Sequence, residues 1–92
     1  MSSEVASIEN LKIGVGAVEE TLKDFDATFG DEMHRQQVAS WVFHSTSARL
    51  REGQFAGVEP EIWWQIAEGV QLGVDHWVDT GVPYDWAVAV DE

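Results

Sequence analysis

The sequence predicts an all-α domain: a small three-helix bundle, formed by an antiparallel hairpin plus a third helix, with an extended C-terminal tail. Three observations predict it. Between Pro60 and Val78 the apolar residues gather on one side when the chain is stepped at about 100° per residue. From Ile8 to Phe29 they recur at spacings of 3, 4, 3, 4, 3 and 4. Glycine or proline stands where such helices would have to start or stop, at Gly30, Gly53, Pro60 and Gly81. Ninety-two residues make one domain. Its helices are expected over about 4–28, 32–52 and 60–79, with a tail over 80–92.

The first helix opens with Ser2 or Ser3 as cap and Glu4 complementing its N-terminus. Ile8, Leu11, Val15, Val18, Leu22, Phe25 and Phe29 form its seam, which reads as one face of a bundle. Gly14 and Gly16 are read as lying off that seam, each costing on the order of 1 kcal/mol in a helix interior, so this helix needs tertiary support. Gly30 is expected to end it in a left-handed conformation, and Asp31 to cap the second helix. So short a link makes the first two helices an antiparallel hairpin.

On the second helix, Val38, Trp41, Val42, Ser45 and Ala48 form one face, widened by Ala39, Phe43 and Leu50. A broad arc suits a helix touched on two sides. Arg35, Arg49 and Arg51 then lie between two acidic helices. Gly53 is expected to end this helix as Gly30 ends the first. Phe55 and Val58, in the loop that follows, are expected to plug the open end of the bundle. Pro60 suits the first position of the third helix, with Glu61 behind it. Ile62, Trp63, Ile66, Ala67, Val70, Gly73, Val74, Trp77 and Val78 make its continuous apolar arc. Trp64, at the edge, and Leu72, in the polar half, break the pattern. Thr80-Gly81-Val82-Pro83 stops the helix. In the tail, Trp86, Val88 and Val90 alternate with Asp85, Ala87 and Ala89, a weak strand pattern with no sheet to join.

Charge bounds the function. Seventeen acids face five bases, a formal net charge of −12. Residues 54–92 carry eight acids and no lysine or arginine. Direct nucleic-acid binding is disfavoured, since nothing could neutralise a run of phosphates, and an anionic membrane would repel the chain. No apolar run approaches the roughly 20 residues of a membrane span, and neither a secretory leader nor a lipid anchor is expected. The expectation is a soluble, cytoplasmic protein, or one carried in a virion. Few lysines, many acids and abundant Val, Ala and Gly resemble the composition of proteins from halophilic archaea and their viruses, where negative charge maintains solubility in salt. The alternative account is an acidic surface that imitates nucleic-acid phosphates and inhibits a basic partner, as a viral anti-defence protein would.

No residues assemble a catalytic pattern. His34 and His76 each stand three residues from an aspartate, Asp31 and Asp79, the spacing of carboxylate-bridged di-iron bundles. Those bundles use glutamates on inward faces, so a cap and surface histidines are the expectation. His44 and Ser45 are helix neighbours and point about 100° apart, so they cannot pair as base and nucleophile. No phosphate loop or nucleophile elbow is present, and no cofactor or metal is expected. There is no cysteine.

Five tryptophans remain. Trp41, Trp63 and Trp77 are assigned to the core. Trp64 and Trp86 are not accounted for, and aromatics outside a core are enriched at protein contacts. The expected function is therefore protein–protein interaction without catalysis, as a small assembly or adaptor subunit. The partner is another protein or a second copy, in a homo-oligomer. The contact surface is expected at Trp64, Glu68, Leu72 and Asp75 on the third helix, with Trp86, Val88 and Val90 of the tail.

Overall fold

The computed structural model describes residues 3–24 and 31–84, with side chains from Ile8 onward. It is a three-helix bundle: α1 (Ser3–Asp24), α2 (Glu32–Glu52) and α3 (Pro60–Thr80). The expected extension of α1 to Thr28, the Gly30 stop and the tail beyond Tyr84 lie outside the described residues.

The ends of α2 and α3 follow from local chemistry. Asp31 caps α2 with its side chain, accepting the His34 backbone N–H at 2.8 Å. Pro60 starts α3, and Gly81 ends it at φ +82°, with its N–H bonded to the Trp77 carbonyl. Gly53 departs from expectation. It ends α2 at φ −110°, outside the left-handed region, and its N–H reaches the Leu50 carbonyl at 3.3 Å. Phe55 N–H shares that carbonyl, so the loop tightens directly on the last turn and the left-handed residue falls later, at Gly57.

The helices run up, down and up. Arg35, early in α2, donates to the Val78 carbonyl at the end of α3, while Arg51, late in α2, lies over Trp63 at its start. Those two helices are therefore antiparallel. Asn10 pairs with Gln65, Gly14 lies against Gly69, and Val18 lies against Gly73. Residue numbers advance together, so α1 and α3 are parallel. They form the most extensive contact of the bundle, and α1 with α2 the least.

Glycine explains that ranking, and it corrects the reading of Gly14. Gly14 is buried at the α1–α3 interface, and a Cβ there would be driven into the Ile66 carbonyl oxygen. A Cβ on Gly69 would strike the Leu11 carbonyl in the same way, and one on Gly73 would sit 3.1 Å from Val18. The two backbones approach so closely because these three positions carry no side chain. Gly16, by contrast, faces open space.

The core is built largely from α3. Ile66, Val70, Val74, Trp77 and Val78 are buried, joined by Val15, Val18 and Leu22 of α1 and Val42 of α2. The predicted arc of α3 from Ile66 onward is thus the centre of the molecule, while Ile62, in the first turn, is exposed instead of buried; the polar residues Glu68, Gln71, Asp75 and Asp79 are exposed. The seam of α1 buries Val15, Val18 and Leu22, while Ile8 is 43% exposed; Phe25 and Phe29 lie outside the described residues.

The expected face of α2 needs correction. Trp41 is 46% exposed and Ala48 is also exposed. In their place, Arg35 and Thr46 are buried beside Val42. Both buried polar groups have partners, as burial demands. Thr46 donates to the buried Thr21 hydroxyl at 2.8 Å, and Thr21 donates to the Ala17 carbonyl at 2.9 Å. Arg35 bonds the Val78 carbonyl at 2.9 Å and packs under Gly81. A last-turn carbonyl has no partner inside its own helix, and α3 has no basic residue in its last turn. Arg35 supplies both a donor and a positive charge from the neighbouring helix. Arg49, facing α1, forms an ion pair with Asp24.

Candidate functional site

The histidines take local roles. The backbone of His34 completes the Asp31 cap, His44 meets Phe43 edge-on at 5.6 Å, and His76 meets Tyr84 edge-on at 5.2 Å. Among the described residues no three metal-ligating side chains converge, and no described helix is long and apolar enough to cross a membrane.

The feature that stands out is the outer side of the N-terminal half of α3. Trp64 is 74% exposed, the most exposed of the large apolar side chains described. Its position follows from the helix. The arc that turns Trp63, Ile66 and Val70 inward leaves the next residue after Trp63 about 100° away, beyond the reach of α1 and α2. Trp64 stands as a ridge between two grooves. One, of 290 Å³, lies toward α2 and is lined by Phe43, Trp63, Ala67, Glu68 and Gln71. The other, of 510 Å³, lies along the start of α3 beside Pro60, Glu61, Gln65 and Glu68.

The electrostatics are one-signed. Glu61 and Glu68 lie three residues before and four after Trp64, on its own side of the helix. Asp75 continues this strip two turns further on and accepts a hydrogen bond from Gln71 at 2.9 Å. Arg51 comes near, but its guanidinium is placed 5.3 Å over the ring of Trp63, a cation–π contact. Of the two consecutive tryptophans, one is thus covered by an arginine of the same chain and the other is open to solvent.

Of the residues expected to form a contact surface, Trp64, Glu68 and Asp75 share this exposed strip. Leu72 is half-buried, which places it nearer the bundle than its position in the polar half suggested. Trp86, Val88 and Val90 lie outside the described residues. Phe55 and Val58 are half-buried, and Phe55 lines a groove of 410 Å³ between α1 and α2 together with Thr21, Thr46 and Arg49. Sequence reasoning missed the Arg35 contact and the glycine interface. The latter had a visible sign, Gly69 and Gly73 one turn apart on the helix that carries most of the core. No known family model, curated protein or solved structure matches this chain.

Proposed function

We propose that this chain is a non-enzymatic interaction or assembly subunit that docks another protein chain over the Trp64 side of α3. One observation carries the reading: a tryptophan 74% exposed on a helix whose other large apolar residues are mostly inside or partly covered. A scattered exposed leucine means little. An indole is different, because tryptophan is among the residue types that dominate binding energy once buried at an interface. The grooves on either side give a partner's side chains a place to sit, and Glu61, Glu68 and Asp75 form the polar rim such contacts have.

The test compares the protein with Trp64→Ser as paired baits in co-purification, alongside solution mass by light scattering. Trp64 is exposed, so the substitution should leave helical content unchanged and stability within about 0.5 kcal/mol. The expected result is a discrete associated chain, or a second copy, held by the parent and lost by the variant. Identical association behaviour of the two proteins would remove Trp64 from the interface and overturn the reading.

A further inference from the structure

If the Trp64 side of α3 is a docking surface, its occupant can be specified further, and the inference that follows rests on that reading. We infer that the surface takes a basic segment of a different protein, with an arginine or lysine laid over the Trp64 indole and its charged head between Glu61 and Glu68.

Charge complementarity is the first argument. From residue 54 to the end of the chain there is no lysine or arginine, so nothing on α3 offsets Glu61, Glu68 and Asp75. An apolar ring between two carboxylates suits a side chain that is apolar along its stem and cationic at its tip. The neighbouring tryptophan is the second argument. Trp63 already holds a guanidinium, that of Arg51, at 5.3 Å from its ring. The adjacent position on α3 therefore shows the contact made within one chain on one indole, while the next indole is open.

The third argument favours a different chain over a second copy. The chain has five basic residues. Arg35 is buried against the Val78 carbonyl, Arg49 pairs with Asp24, Arg51 covers Trp63, and Lys23 lies 3.7 Å from Glu19. Only Lys12 stands outside these contacts. Two copies, each at −12, meeting through this strip would bring acid to acid. A chain richer in bases than this one meets the strip better.

The test titrates the full chain with an acetylated, amidated nonapeptide alternating arginine and serine. The indole N–H resonance of Trp64, assigned by its loss in Trp64→Phe, reports contact. The expected result is a shift centred on that resonance and affinity reduced about fivefold or more in Trp64→Ala. The Glu61→Gln/Glu68→Gln pair should weaken binding comparably and flatten its salt dependence. Glu9→Gln with Asp79→Asn removes the same charge elsewhere and should change affinity less than about twofold. The inference falls if Trp64→Ala binds like the parent, or if the remote pair weakens binding as much as the local one, since the peptide would then be reading net charge alone. If the Trp64 resonance ignores the peptide but the parent forms a dimer that Trp64→Ser abolishes, the occupant is a second copy: the basic-partner inference is overturned and the docking surface stands. If neither peptide nor Trp64-dependent association is seen, both fall.

Discussion

At the scale of single residues, the glycines of α1 and α3 behave as opposites although the sequence presents them alike. Gly69→Ala pushes a methyl into the Leu11 carbonyl, and the backbones can only separate. Overpacking of this kind costs about 1–3 kcal/mol or more. Gly16→Ala meets nothing within 4 Å and should stabilise α1 by roughly 0.5–1 kcal/mol, the difference in helix propensity. Urea denaturation of the two variants checks both signs; a Gly69→Ala protein as stable as the parent would show that the close approach is not what joins the helices. Arg35 gives a second test. Arg35→Leu leaves the Val78 carbonyl without its donor at the end of α3, which should cost about 1–3 kcal/mol and lower the melting temperature. This contact was not legible in the sequence. A lone arginine on the first turns of a helix reads as surface charge, and only the antiparallel placement of α2 on α3 brings it to a helix end that lacks a cation.

At the scale of the elements, α3 is where the sequence was most readable and α2 where it was least. The arc of α3 contains enough apolar residues to fix its rotation unaided, and the inward set from Ile66 onward, the outward acids and the exposed Trp64 followed from it, with only Ile62 in the first turn left outside. The apolar residues of α2 spread around too much of the helix to choose one orientation. Two polar residues with partners on other helices, Thr46 through Thr21 and Arg35 through Val78, decided it and left Trp41 outside. The exposure of Trp64, Glu68 and Asp75 was readable for the same reason that α3 was. Leu72 was misjudged because a helical projection knows nothing of how far neighbouring helices wrap. A paired substitution tests the central role of α3. Val70 is fully buried, so Val70→Asp places an unpaired charge in the core at a cost of several kcal/mol, against a total stability of about 5–15, and should unfold the domain by circular dichroism. Gln71→Asp, one residue on and exposed, loses the hydrogen bond to Asp75 and adds like charge near Glu68 and Asp75, and should cost only about 0.5–1 kcal/mol.

At the scale of the whole molecule, a net charge of −12 on 92 residues dominates. Self-repulsion of this surface is long-ranged at low salt, where the Debye length is about 10 Å at 0.1 M, and short-ranged at about 3 Å in 1 M. If the acidity is an adaptation to salt, the melting temperature should climb steadily from dilute buffer to molar KCl, as followed by circular dichroism. A flat dependence would favour the account in which the acids imitate phosphates for a basic partner. The salt slope also bears on docking, since contact between Trp64 and a basic segment should weaken over the range in which the fold itself gains.

The glycine-lined pairing of α1 with α3 has a consequence for register. Gly69 and Gly73 are four residues apart, so sliding α1 by one helical turn, about 5.4 Å, would bring Gly14 from one notch to the next. Two notches on one rail would ordinarily permit two settings. The slide would, however, carry Val18 off Gly73 and toward Trp77, a large side chain that is already buried. A tryptophan where a third glycine would continue the series acts as the latch, and it holds the parallel pair to a single setting.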